Sequence, residues 1–202
     1  MNNVYDRAAQ FAQEAHTDVF RKDGITPYFH HCQEVAGEAM FLVDSSDNTR
    51  LAEVGAAGCL HDVVEDVEGI EIHHIYEKFG DRVGFLVGAM TEDTRFKPRA
   101  VRGLRYNYQI LQAAQKDVDV LALKYADMWS NTCRGFDALR PSFRPVFASE
   151  ALRSLDFFEI HAKDLMNPQI ELCAIKIRRK VEEELDWLIK GEVSQLKTKG
   201  SN

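Results

Sequence analysis

Two adjacent pairs, His61-Asp62 and Glu65-Asp66, lie in the run Cys59-Leu60-His61-Asp62-Val63-Val64-Glu65-Asp66. On a helix, His61 to Glu65 and Asp62 to Asp66 would each stand one turn apart on the same face. Groups able to ligate a metal or carry protons therefore crowd one end of a segment that is otherwise small and apolar (Leu51, Ala52, Val54, Ala56, Ala57, Leu60). A solvated face would mix in lysines, and buried acids without partners are costly. One His-Asp pair cannot hold a divalent ion alone, so partners must come from elsewhere. Upstream stands His30-His31, at a junction between loop and helix. Downstream stands Asp127, ending the apolar stretch Leu121-Ala122-Leu123-Lys124-Tyr125-Ala126. Taken singly, either histidine also reads as structural, and Asp127 as a partly exposed helix carboxylate. Joined to His61 and Asp62 they make a mixed nitrogen and oxygen set. Such a set suits Mn²⁺, Fe²⁺ or another six-coordinate ion and leaves positions open for water and substrate. No Gly-x-x-x-x-Gly-Lys loop, Gly-x-Ser-x-Gly elbow or Gly-x-Gly-x-x-Gly turn competes with it.

The elements that must position these groups are helical almost throughout. Val4, Ala8, Phe11 and Ala15 recur at helical spacing and predict a first helix of about 14 residues. A loop follows over about 20–30, broken by Gly24 and Pro27. Further helices are expected from about His31 to Val43 and from about Arg50 to Val64. Short ones follow over about 70–79 and 81–91, then longer ones over about 99–115, 118–132, 143–165 and 168–189. The last carries the stripe Ile170, Cys173, Ile177, Val181, Leu185 and Leu188. No strand-length alternation appears, so the chain reads as one all-α domain over residues 1–190, with 191–202 as a frayed, disordered tail.

Composition narrows the class. The 202 residues are 45% hydrophobic and 28% charged, as in globular proteins. Apolar runs fall short of the roughly 20 residues a membrane span needs, and the N-terminus lacks a signal pattern. The four scattered cysteines, Cys32, Cys59, Cys133 and Cys173, fit reduced thiols and a cytoplasmic location. A net charge of -7 argues against a nucleic-acid partner, so a polyanionic ligand would need a local basic patch. Oligomeric state is not legible.

In order along the chain, Arg21-Lys22-Asp23-Gly24, Thr26-Pro27-Tyr28-Phe29-His30-His31 and Val35-Ala36-Gly37 precede His61-Asp62-Val63-Val64-Glu65-Asp66. Phe79-Gly80, Thr91-Glu92-Asp93 and Leu123-Lys124-Tyr125-Ala126-Asp127, with Asn131, follow. Over roughly residues 8–135 this series resembles the HD superfamily of metal-dependent phosphohydrolases, and within it the RelA/SpoT hydrolase branch and its small free-standing relatives. The resemblance implies an HD-type helical bundle. It places the upstream ligand on His31 rather than His30, and it implies metal ligation by His31, His61, Asp62 and Asp127, typically of Mn²⁺. The family's proline after the first ligand is Cys32 here.

The activity implied is hydrolysis of the 3′-diphosphate of guanosine tetra- or pentaphosphate to GDP or GTP and pyrophosphate, with Glu65 and Asp66 orienting the water or accepting its proton. Arg21 and Lys22 match the family's nucleotide-contacting pair, and Asn131 a nucleotide-contacting asparagine. Lys97 and Arg99 lie where small relatives place phosphate contacts, whereas Arg102 and Arg105 also read as a solvated face. Met128 replaces a basic residue usual in the family, and the stretch Trp129-Ser130 to Thr132-Cys133-Arg134-Gly135 departs from its register. These departures are expected around the base pocket, so adenosine alarmones or NADPH stand as alternative substrates. A generic HD nucleotidase or phosphodiesterase and a non-catalytic nucleotide sensor are further alternatives. The Arg21-to-Tyr28 motif speaks against the first, and the intact ligand set with Glu65-Asp66 against the second. The length leaves no room for a synthetase domain, which favours a free-standing hydrolase.

Overall fold

The computed structural model describes residues 3–92 and 99–199, with side chains described outside 93–100 and 191–202. Among the described residues the chain is helical, without strands apart from one isolated bridge between Phe20 and Pro27. Helix α1 spans Val4–Ala15, α2 Phe29–Leu42 and α3 Asn48–Leu60. Asn3 and Asp47 start α1 and α3 by accepting backbone amide hydrogens with their side chains. α4 is a single turn, Val63–Asp66, followed by α5 (Ile72–Phe79) and α6 (Asp81–Met90). Gly80 separates α5 from α6 at φ 91, a left-handed conformation open to glycine. α7 covers Arg99–Ala114 and α8 Asp119–Trp129. A π-helical turn over Ser130–Arg134 prolongs α8, a 3₁₀ turn follows at Phe136–Ala138, and α9 (Arg144–His161) and α10 (Pro168–Lys199) complete the order. No described helix is long and apolar enough to cross a membrane.

Helices α2, α3 and α8 form the centre because their inward faces are almost wholly apolar. The second half of α3, Val54 to Leu60, is buried on every side, as is α8 from Asp119 to Ala126. A Cβ on Gly58 would lie 2.6 Å from the Cα of Ala36, so α2 and α3 touch backbone to backbone there. That approach sets the spacing of His31 and His61, one near each contact end. Away from this contact, Arg82 of α6 binds Glu53, Asp117 and Asp119, and Arg50 forms a two-pronged pair with Asp119. Such planar, charge-assisted pairs tie α3, α6 and the start of α8 together.

The expected helix from Arg50 to Val64 is interrupted. α3 stops at Leu60, His61 and Asp62 occupy a turn, and α4 begins at Val63. Asp66 N still donates to the Asp62 carbonyl at 2.9 Å, but Glu65 N donates to that same oxygen at 3.1 Å rather than to His61. The one-turn stacking therefore holds for Asp62 and Asp66 in the backbone and fails for His61 and Glu65. The final helix runs beyond its apolar stripe, to Lys199.

Candidate active site

The opening loop is organised by Asp23. Its carboxylate accepts the amides of Ile25 and Thr26 and the Thr26 hydroxyl, which hold its pKa down to about 2. Arg21 N donates to the Thr26 carbonyl at 2.8 Å, and Gly24 turns at φ 72. The closed loop delivers Arg21 and Lys22 on one side and Tyr28 on the other. α2 then begins, and its first turn carries both upstream histidines. His30 is exposed and His31 is buried, facing α3 and α8.

His31, His61 and Asp127 offer one ligand atom each, all within 4.8 Å of one another. His61 Nδ1 lies 2.9 Å from the Gly58 carbonyl, which can only accept, so the Nδ1 proton is fixed there and Nε2 is left with its lone pair. That Nε2 is buried without a hydrogen-bond partner. Asp62 Oδ2 stands 3.0 Å from it and 3.6 Å from His31 Nε2, while Asp127 Oδ1 stands 3.6 Å from His31 Nε2 and 3.8 Å from His61 Nε2. Two imidazoles and the Asp127 carboxylate around one point, with Asp62 Oδ2 beside both imidazoles, form a donor set that fits a divalent cation. The electrostatics agree. Burial opposes a charge on His61, yet Asp62 and Asp127 outweigh it and push its pKa up to about 9. Asp62 is held well below the usual carboxylate range: burial opposes this, and His61 and His31 overcome it.

The carboxylates are themselves held. The Tyr28 hydroxyl donates to Asp62 Oδ2 at 2.5 Å, and burial with Asp62 beside it keeps that phenol protonated. Asn131 Nδ2 donates to Asp127 Oδ1 at 2.6 Å, and Lys124 Nζ reaches Asp127 Oδ2 at 3.2 Å. Glu65 and Asp66 flank the centre. Packing around the Glu65 carboxylate raises its pKa to about 7, against the Glu92 amide that donates to it and with the charges of Asp62 and Asp66. Asp66 is raised by burial and by Asp62, with His16 opposing. Cys32 is buried and its thiol is pushed up by burial, so it is no thiolate.

Next to the centre, a cavity of about 100 Å³ is lined by Arg21, Lys22, Tyr28, Asn131, Gly135 and Phe147, among others. Arg21 donates to Ser130 Oγ at 3.5 Å and to Asn131 Oδ1 at 3.4 Å, while Lys22 lies over the Phe143 ring. A Cβ on Gly135 would stand 2.5 Å from Arg21 Nη2, so this glycine leaves room for the guanidinium. A second cavity, about 310 Å³, carries Arg102, Lys124 and Arg153 beside Glu92 and Tyr106. Lys124 and Glu92, which reach Asp127 and Glu65, connect it to the centre. Arg102 pairs with Glu92 at 2.9 Å.

The fold thus gathers His31, His61, Asp62, Asp127, Glu65, Asp66, Arg21, Lys22 and Asn131 in one region. Lys97 lies outside the described residues, and Arg99 opens α7 with its side chain outside them. The departures expected around the base pocket divide. Gly135 lines the small cavity, but Met128 is buried in the core and Trp129 lies beneath Arg134. Sequence reasoning gave no role to Ser130, Lys124 or His16. Lys124 stands three residues before Asp127 on a helix, a spacing that could have flagged it. Buried Ser130 and His16 carry no such signal.

Residues 8–152 match the HD domain family. A probable guanosine-3′,5′-bis(diphosphate) 3′-pyrophosphohydrolase of Synechocystis sp. is 35% identical over 146 residues, 71% of this chain and 18% of that protein. Its counterpart in Aquifex aeolicus, named guanosine-3′,5′-bis(diphosphate) 3′-pyrophosphohydrolase, is 34% identical over 131 residues, 62% of this chain and 17% of that protein. The chain thus spans less than a fifth of the length of these curated relatives. Among solved structures, one described as a metazoan ortholog of SpoT that hydrolyses ppGpp and plays a role in starvation responses aligns at TM-score 0.69. It covers 89% of this chain and 96% of that one at 23% identity, a likeness of fold.

Proposed function

We propose that this chain, which belongs to the HD domain family, hydrolyses the 3′-diphosphate of guanosine tetra- or pentaphosphate. The products are GDP or GTP and pyrophosphate. The observation that carries the reading is the buried, inward-facing Nε2 of His61, grouped with ligand atoms of His31 and Asp127 and 3.0 Å from Asp62 Oδ2. Relatives of the same family named as 3′-pyrophosphohydrolases support the substrate.

In this reading His31, His61, Asp62 and Asp127 hold Mn²⁺. When bound, the ion supplies a lowered pKa for water and neutralises phosphate charge. Among the residues that would hold the ion, Asp62 would be oriented by Tyr28, and Asp127 by Asn131 and Lys124. Glu65, with its pKa near 7, accepts the proton of the attacking water, and Asp66 orients that water. The water oxygen bonds to the phosphorus next to the 3′ oxygen, the bond between them breaks, and the 3′ oxygen takes up a proton. Arg21 lies against the purine and Lys22 approaches the phosphates, with Arg102 and Arg153 of the larger cavity adding positive charge for a polyanion. Lys97 and Arg99 are assigned phosphate contacts on the sequence alone. Free cysteines at all four positions agree with a reducing, cytoplasmic setting.

The test is incubation of metal-free protein with guanosine tetraphosphate, its adenosine counterpart and NADPH, with and without Mn²⁺. Pyrophosphate released from the guanosine compound only when Mn²⁺ is present is the expected result. Release from none of the three refutes the enzymatic reading, and turnover of the adenosine compound or NADPH alone transfers it to that substrate. Asp62→Ala should abolish the Mn²⁺-dependent turnover; full activity in that variant would show that the ligand set is wrong.

A further inference from the structure

Ser130 is fully buried where α8 widens into the π-helical turn, a local geometry common at functional sites. Its hydroxyl has its full complement of partners. It donates to Glu34 Oε2 at 2.6 Å, lies 2.9 Å from His31 Nδ1, and receives Arg21 Nη1 at 3.5 Å. A hydroxyl has one hydrogen to give and two lone pairs to receive with. The carboxylate of Glu34 takes the hydrogen and the guanidinium of Arg21 can only donate. His31 Nδ1 must therefore be the second donor, and its ring proton is pinned on the side away from the metal centre.

We propose that Ser130 is a positioning residue of the metal site: through Glu34 it locks His31 in the tautomer whose Nε2 lone pair faces Asp62 and Asp127. The inference rests on the proposed metal-dependent reading and adds to it a relay, Glu34 to Ser130 to His31, that mirrors the Gly58 carbonyl behind His61. The two histidines are aimed by different means. His61 uses a backbone oxygen of the last turn of α3, just before it, which no substitution removes. His31 has no such oxygen and depends on two side chains, one of them carried by the π-helical turn. Because Arg21 shares the Ser130 oxygen, the relay also ties the nucleotide-binding loop to a metal ligand. Outer partners of ligating histidines typically govern metal affinity by about 10- to 100-fold.

The experiment titrates metal-free parent, Ser130→Ala, Glu34→Ala and Glu34→Gln with Mn²⁺, reading the free ion by electron paramagnetic resonance. Imidazole ¹⁵N spectra of the metal-free proteins report the His31 tautomer. Ser130→Ala should bind Mn²⁺ about 10- to 100-fold more weakly, with His31 spread over both tautomers. Glu34→Ala should weaken binding in the same direction, because the freed hydroxyl can turn and donate to Nδ1. Glu34→Gln keeps an acceptor oxygen and should restore near-parent affinity, which a purely structural role for Glu34 would not require. Parent-like affinity and tautomer in Ser130→Ala overturn the proposal. If Ser130→Ala does not fold, parent-like binding by Glu34→Ala does so instead. A parent that binds no Mn²⁺ overturns the metal site itself, an outcome distinct from equal binding by parent and variants.

Discussion

The Tyr28 hydroxyl donates to Asp62 Oδ2 at 2.5 Å, joining the end of the loop that carries Arg21 and Lys22 to the turn between α3 and α4. A hydrogen bond to a charged group contributes about 1.5–3 kcal/mol. Tyr28→Phe should therefore weaken Mn²⁺ binding by roughly 10- to 100-fold, with the fold retained. Calorimetric titration of the metal-free protein measures it, and unchanged affinity would remove Tyr28 from the site.

The Glu65 pKa of about 7 gives a pH prediction with a definite sign. In the proposed mechanism Glu65 is the base and must be deprotonated, so the rate under subsaturating substrate should rise with pH as its carboxyl loses the proton. A bound divalent ion favours the carboxylate and moves this limb to lower pH. Glu65→Gln should remove the limb along with most of the activity, and a parent-like pH profile in that variant would assign the base elsewhere.

The same shift predicts stability. Glu65 binds its proton more tightly folded than unfolded, so folding is disfavoured progressively as pH rises from the ordinary glutamate range to about 7. Metal-free Glu65→Gln should melt above the parent at pH 8 and together with it near pH 4, where both side chains are neutral. Solvent reaching the exposed Glu65 will moderate the difference.

Gly135→Ala places a methyl group 2.5 Å from the Arg21 guanidinium, the mobile end of a long side chain. The fold should survive and Arg21 should be displaced. KM should rise about tenfold, equivalent to about 1.4 kcal/mol, with kcat less affected. A steady-state assay separates the two, and an unchanged KM would argue that Arg21 does not contact substrate.

Gly58→Ala meets backbone, the Cα of Ala36 at 2.6 Å, which cannot swing aside. Overpacking of this kind costs about 1–3 kcal/mol, and separating α2 from α3 should also spread His31 from His61. Urea unfolding should show the loss of stability and Mn²⁺ titration a parallel loss of affinity.

Sequence alone determined the helical class, most helix positions and the residues able to ligate a metal. Those properties follow from local spacing and side-chain chemistry, which need no knowledge of distant neighbours. The choice between His30 and His31 was settled there only by resemblance; in the structure one is exposed and the other buried, facing α3 and α8. Periodicity ran straight through His61-Asp62 because both residues can be helical, so the break between α3 and α4 was invisible. Only tertiary structure decided which groups hold the candidate ligands in place. Tyr28 to Asp62 spans 34 residues of chain and His31 to Ser130 spans 99. Pairs so distant meet only because α2, α3 and α8 pack at a separation that Gly58 permits, and because a π-helical turn carries Ser130 and Asn131 into the centre.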